Sequence, residues 1–368
     1  MRRILDALRV GQPLDLAPSE QYYCDRHQIT LLLQKTHVPA NRERIRRLKA
    51  AFWRVQETLD AAGIEFVVLK GFANWDRYWA DLELRLQYDL DLYCPHQALA
   101  ARQVLEKIGY ESTPSDGRVS VDHLPALVQK TGWQWRGDFF DPETPISIEL
   151  HFRLWDESTE GFSVPGLEDF WSRRTTQLLD GRPYLALDPI DSLAYACLHS
   201  LRHLLRGDVR AANIYEIAYF LNANADNDEF WNRWRHLNGV GICFLLAKTW
   251  FGCRLHRVAQ EEIDRLNPRV LDWFERYAWS PAEALIRPNK DELWLHLCLL
   301  DSFPKKAGVL LRRLLPLRLP GPLDSVFIPG EQMTAAVRLR KQWQYGRYVA
   351  GRALFHVRVL SRMLKIRA

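Results

Sequence analysis

Residues 86–93 read Leu86-Gln87-Tyr88-Asp89-Leu90-Asp91-Leu92-Tyr93, a short run whose apolar–polar alternation predicts a β-strand. Residues i and i+2 of a strand project from one face, so Asp89 and Asp91 point the same way. Two like charges there repel by about 4 kcal/mol at ~4 Å and an effective dielectric near 20. Such a pair persists if it is solvated, if one carboxyl takes up a proton, or if a cation neutralises both. A divalent metal that also touches a phosphate would meet the last condition.

Working outward, Ile64 to Leu69 is a β-branched-rich run that predicts a buried strand. The Lys70-Gly71 turn follows, then a predicted helix through Phe72, Trp75 and Trp79, then Arg85. After the Asp-Leu-Asp strand a helix is predicted over about His96 to Ile108, stopped by Gly109. Residues 112–132 are polar and turn-rich and predict a loop with a short helix. Trp133–Phe139 and Ile146–Phe152 predict two strands, separated by the turn signal Asp141-Pro142-Glu143-Thr144-Pro145. In the second of these, Glu149 and His151 share one face and Ile148, Leu150 and Phe152 the other. About four strands are expected between residues 63 and 152.

The flanks read as helix. Asn41 is the expected N-cap of a helix whose Ile45, Leu48, Phe52, Val55 and Leu59 recur at spacings of three and four, and Gly63 ends it. Asp188-Pro189 opens a helix to about Leu205, followed by helical patterns near 210–223, 229–250, 258–277, 290–301 and 333–365, with a Pro/Gly-rich linker at 316–330. The expected fold class is α+β: a small mixed-sheet core at 63–188, an N-terminal helical segment at 1–62 and a larger helical C-terminal region at 189–368.

Hydrophobic residues make up 47% of the 368, an ordinary globular fraction. No apolar run reaches the roughly 18 to 20 residues that span a bilayer, and the start lacks the apolar stretch of a signal peptide, so a soluble cytoplasmic protein is expected. Six cysteines without a Cys-x-x-Cys pair read as buried thiols. The net charge of +5 conceals an asymmetry: the segment from Lys305 onward carries +12 and the remainder −7. A basic segment of that kind reads as a solvated helix face, or as a weak contact for nucleic acid or an anionic surface.

If the Glu149 strand lies beside the Asp89/Asp91 strand, the three carboxylates cluster. In-line phosphoryl or nucleotidyl transfer uses such a set to hold metal ions against the attacking and leaving oxygens. Lys70 and the backbone at Gly71 would grip phosphate oxygens, and Arg85 would add a bidentate contact. The order Leu69-Lys70-Gly71, Arg85, Asp89-x-Asp91, then Glu149-x-His151 resembles an uncharacterised bacterial nucleotidyltransferase family of the DNA polymerase β-like nucleotidyltransferase superfamily. The lead-in from Ala62 to Gly71, Leu105 to Tyr110, the helix carrying His199 and His203, and the Ala211–Leu221 helix are also similar to that family. The resemblance implies a two-metal core with Asp89, Asp91 and Glu149 as Mg2+ ligands (Mn2+ as the alternative), a nucleoside triphosphate substrate with ATP as the first choice, and transfer of a nucleoside monophosphate to an unidentified acceptor, whether small molecule, protein or RNA. The chain departs from the pattern at Phe72, where the wider superfamily has serine after glycine, at Tyr88, where a small residue is common, at Phe152, where tryptophan is common, and at Glu216, which stands where aspartate is usual. Phe72 and Tyr88 motivate one alternative, a non-catalytic binding or regulatory protein on a degenerate scaffold, and the +12 segment from Lys305 onward motivates another, an RNA-directed enzyme.

His199 and His203 lie four apart on one helical face and read as hydrogen-bonded residues beside the cleft, with substrate or metal contact as the other readings. Arg202 and Arg206 on that helix read as solvated, with a place facing the cleft as the other reading. His151 is a partner that orients Glu149, a general base, or a plain strand histidine. The 14 tryptophans read as core packing, and the 333–365 helix as an amphipathic helix docked on the body.

Overall fold

The computed structural model describes residues 1–112, 122–129, 131–287, 289–314 and scattered positions from 339 to 357, without the side chains of Phe72, Asn74, Trp75 and Asp76. The linker expected at 316–330, most of the helix expected at 333–365 and the side chain of Phe72 thus lie outside the described residues.

The centre is a mixed seven-stranded sheet in the order β3-β4-β5-β2-β1-β7-β6. Its strands are β1 (Val67–Val68), β2 (Asp89–Tyr93), β3 (Tyr110–Ser112), β4 (Leu127–Gln129), β5 (Ser147–His151), β6 (Thr175–Leu179) and β7 (Arg182–Ala186). Strand β2 runs antiparallel to β1 and parallel to β5. One sheet face buries Leu90, Leu92, Ile148 and Leu150 against Leu48, Phe52, Val55 and Leu59 of the helix Val38–Ala61 and Leu105 of the helix Ala98–Lys107. Each such side chain contributes roughly 1.5–3 kcal/mol when fully buried. Period two then obliges Asp89 and Asp91 onto the opposite face. There the helix Pro189–Arg206 packs, capped by the Asp188 carboxylate accepting from the Ile190 N–H at 3.0 Å. Its buried residues belong to a second core shared with Ile4 and Leu5 of the first helix and with the helices Ala211–Ala223 and Val240–Phe251.

Several local expectations are corrected. Asn41 lies one turn inside its helix, fully buried, and its side-chain N–H groups reach the carbonyls of Glu83 (2.7 Å) and Arg85 (2.9 Å). It ties the helix to the loop before β2 instead of capping. Trp133–Phe139 is a loop, because Gly132 and Gly137 take positive φ (74° and 85°) and the Asp138 and Asp141 carboxylates close side-chain turns onto the Phe140 and Glu143 N–H groups. Among the described residues of 112–132 there is strand β4 rather than a short helix. The described residues between 63 and 152 hold five strands where about four were expected, and the β6–β7 hairpin adds two more. Its Asp180-Gly181 turn has φ of 52° and 78°, the doubly positive geometry of a type I′ turn. The long helical patterns also divide: 229–250 becomes Asp228–Asn232 and Val240–Phe251, and 258–277 becomes Arg257–Asp264 and Pro268–Tyr277, the last capped by Asn267. No helix among the described residues is long and apolar enough to cross a membrane.

Candidate metal and nucleotide site

The parallel pairing of β2 and β5 sets Asp91 directly opposite Glu149, Asp89 opposite Ser147 and Tyr93 opposite His151. Side-chain alternation therefore gathers Asp89, Asp91, Glu149 and His151 on one patch of sheet. One ligating atom each from Asp91, Glu149 and His151 falls within a 4.8 Å group. Strand β1 completes the arrangement. Its continuation donates the Leu69 N–H to the Asp91 carbonyl at 3.0 Å, which delivers Lys70 to the acids, with Nζ 3.1 Å from Asp91 Oδ1.

Behind the patch the side chains close into a ring. Asp91 Oδ1 lies 3.1 Å from His151 Nε2, and His151 Nδ1 lies 3.3 Å from Asp122 Oδ2. Asp122 accepts from Arg202 Nη1. Arg202 Nη2 is 3.1 Å from His199 Nδ1, and His199 Nε2 is 3.2 Å from Lys70 Nζ. Lysine and arginine only donate, so a neutral His199 accepts from one of them at a time. Arg202 is 6% exposed, which corrects the expectation of a solvated arginine. Arg206 reaches the buried Glu160 at 2.6 Å.

Each carboxyl responds to its surroundings. Burial, then the Asp91 charge, pushes Asp89 up to about 6. Burial also works against ionisation of Asp91, but Lys70 and then the His151 hydrogen bond outweigh it and hold that carboxyl below its usual range. Glu149 is lowered in the same way: burial is overcome by His151, His123 and Lys70. Burial alone would lower His151, yet its hydrogen bonds to Asp91 and Glu149 raise it. Its Nε2 faces Asp91 and Glu149, while its Nδ1 lies 3.3 Å from Asp122 without a hydrogen bond. His199 is driven well below its ordinary value by burial and by Lys70, and burial lowers His203 despite the Asp208 carboxylate 3.0 Å from its Nδ1.

Gly71 is required at its position. Its φ is +71°, and a Cβ there would stand 2.1 Å from Gln87 Nε2. The expected helix beyond it is a 3-10 turn, Gly71–Asn74, followed by one α-turn, Trp75–Tyr78. The Gln87 amide accepts from Arg85 Nη1 at 3.0 Å and donates to the Asp89 carbonyl at 2.7 Å. Arg85 is bound in turn by Glu216, Nε to Oε1 at 2.7 Å, and Trp79 Nε1 shares that oxygen at 2.8 Å. The Arg85 guanidinium thus belongs to the wall of the site. A cavity opens beside these groups, with Lys70, Gly71, Asp89, His199, Ser200 and Arg210 in its lining.

The donor set fits a hard divalent cation. Asp91 Oδ2 is buried and has no hydrogen-bond partner, and carboxylate oxygens are the ligands such ions take. Reading the sequence brought Asp89, Asp91, Glu149, Lys70, Gly71, Arg85, His151 and His199 to this locality, with His203 one helical turn further on. It missed Gln87, Asp122, His123 and Arg210. Asp122-His123 sits in a polar loop with no periodicity to flag it; the isolated bridge from His123 to His151, with the Phe152 N–H donating to the Asp122 carbonyl at 3.0 Å, brings it to the site.

A model of the family described as an uncharacterised nucleotidyltransferase matches residues 27–252, well over half of the chain. No curated protein and no solved structure matches it.

Proposed function

The chain belongs to the uncharacterised nucleotidyltransferase family, and from that premise we propose that it moves a nucleoside monophosphate from a nucleoside triphosphate to an acceptor hydroxyl, with Mg2+ held by Asp89, Asp91 and Glu149. The observation that carries the reading is the register of β2 and β5, which sets Asp91 against Glu149 with one buried Asp91 oxygen unpartnered. When bound, the metal supplies Lewis-acid stabilisation of the charge that grows on phosphoryl oxygens. Lys70 and Arg210 attract the triphosphate into the cavity that they line, and Gly71 leaves room for the close turn that carries Lys70. Arg85 is fixed by Glu216 and Gln87 and shapes the wall through the Asp89 backbone. His151 orients Asp91, and the Asp122–Arg202 pair holds His151 in place. The acceptor oxygen attacks the α-phosphorus, the bond to the β-phosphate oxygen breaks, and pyrophosphate leaves. The acceptor proton passes to solvent through the Glu149 carboxylate.

The test is incubation with each α-labelled nucleoside triphosphate, Mg2+ and cell extract. Label transferred by the wild type and lost in Asp89→Asn and Asp91→Asn is the expected result, and equal transfer by all three proteins would sink the mechanism. A second reading, a binding protein without catalysis, draws on the Lys70 ammonium 3.1 Å from Asp91, a cation already in place. It predicts calorimetric binding of a triphosphate that is indifferent to Mg2+.

A further inference from the structure

A second cavity, of about 400 Å³, adjoins the first, with Gln28, Tyr88 and Arg210 lining both. Its volume lies in the range of sites for small organic ligands. Glu149 and Ser147 of β5 contribute to its lining, so it reaches the metal-ligating patch from the side away from Lys70. One wall is aromatic: Tyr88, Trp133, Trp135 and Phe139. The other carries His203, Asp208 and Arg210. The two histidines spaced four apart on the helix Pro189–Arg206 thus divide their service, His199 to the first cavity and His203 to the second.

The aromatic wall is built on a loop, yet it is anchored. Tyr88 OH donates to the Phe139 carbonyl at 2.6 Å and Trp133 Nε1 to Asp141 Oδ2 at 2.7 Å. The Trp135 and Phe139 rings meet edge to face at 5.2 Å. Buried Arg44 lies over the Tyr88 ring at 4.6 Å and donates to the Asp141 carbonyl. A wall fixed in advance spends little free energy on ordering when a flat ligand stacks on it. Indole and phenyl faces take the apolar face of a ring, and the facing carboxylate and guanidinium supply acceptors and donors for its polar substituents.

We propose that this second cavity is the acceptor site and that the acceptor is a small hydroxyl-bearing ring compound, stacked on Trp135 with its hydroxyl toward Glu149. The proposal rests on the nucleotidyl-transfer reading. Under it the ring hydroxyl forms the new bond to the α-phosphorus while pyrophosphate departs, and the proton leaves through Glu149. Tyr88, next to the first aspartate and in the lining of both cavities, becomes part of the partition between the triphosphate and the ring.

Fluorotryptophan labelling of the full chain tests this, with the fluorine resonances of Trp79, Trp133 and Trp135 assigned from single Trp→Phe variants. Trp79 reports on the first cavity and the other two on the second. The probes are phenol, cyclohexanol and methyl β-glucoside, separating aryl from sugar-like rings, together with Mg-ATP and hexauridylate. A saturable shift of the Trp133 or Trp135 resonance with a ring alcohol is expected, while Trp53, assigned in the same way and packed against the core on the other face of the sheet, stays in place. No response there to any ring alcohol overturns the proposal. A response to hexauridylate alone also overturns it, in favour of an RNA acceptor. Mg-ATP leaving Trp79 unmoved counts against the nucleotidyl-transfer reading by itself, whatever the second cavity does, so the two failures are distinguishable.

Discussion

His151 Nε2 lies 3.1 Å from Asp91 Oδ1, joining residues sixty positions apart in the chain, and the same ring turns its other nitrogen to Asp122. The Asp91 carboxylate is therefore oriented by an imidazole ring whose other nitrogen faces a second carboxylate, which is neutralised by buried Arg202.

Replacing Asp122 with asparagine removes the charge that satisfies Arg202. Breaking a buried pair from one side costs about 3–5 kcal/mol, because it leaves an uncompensated charge behind. Urea denaturation of Asp122→Asn should show a loss of that order. Adding Arg202→Met should restore much of it, since the orphaned guanidinium is then gone. A loss that the second change fails to reduce would show that the pair is not the source.

Asp89→Asn and Asp91→Asn should each lower nucleotide incorporation by at least about a hundredfold, the low end for removing one electrostatic stabiliser of a transition state. Chelation of divalent metal should reproduce the loss in the wild type, and Mg2+ should reverse it. Initial-rate measurement with labelled triphosphate decides the matter.

Gly71→Ala should destabilise the protein and displace Lys70. A non-glycine residue at φ +71° costs about 1–3 kcal/mol, and the added Cβ meets Gln87 at 2.1 Å. A lower melting temperature together with weaker Mg-ATP binding by calorimetry is expected. An unchanged affinity would separate the turn from the triphosphate site.

Acid should weaken the fold through two buried histidines outside the carboxylate patch. Burial, then the Arg210 charge, lowers His27 to about 3, and its Nδ1 accepts from the Ala211 N–H at 3.1 Å. Burial lowers His296 to about 4, against the hydrogen bond it donates to the Glu160 carbonyl and with Arg313 close by. Both values fall below that of an unfolded histidine, so the unfolded chain binds more protons. The stability they contribute is complete above about pH 6.5 and is lost as the pH falls towards 4 and 3. Thermal unfolding from pH 7.5 down to pH 5 should show a falling midpoint, with a shallower slope in His296→Gln.

What was legible in the sequence was what short-range pattern encodes. Alternation around Asp89-Leu90-Asp91 and Ile148-Glu149-Leu150 put acids on one face and aliphatic residues on the other, and the structure buries them so. Lys70-Gly71 read correctly as a turn. Asp180-Gly181 carried an equally local hairpin signal that went unread. Trp133–Phe139 misled because its aromatic residues satisfy strand propensity, while its glycines and the side-chain turns at Asp138 and Asp141 hold it open.

The sequence by itself determined the strands that bear the carboxylates and the helices that flank them, because periods of two and of three to four are local properties of a backbone with a wet and a dry side. Tertiary structure alone decided that β2 and β5 are neighbours, that Asp122 and Arg202 close the ring behind Asp91, and that Arg85 belongs to Glu216. Those partners are separated by tens to more than a hundred residues. Their pairing follows from how the sheet and the helix Pro189–Arg206 bury their apolar faces together, which leaves the charged groups between them no partners but one another.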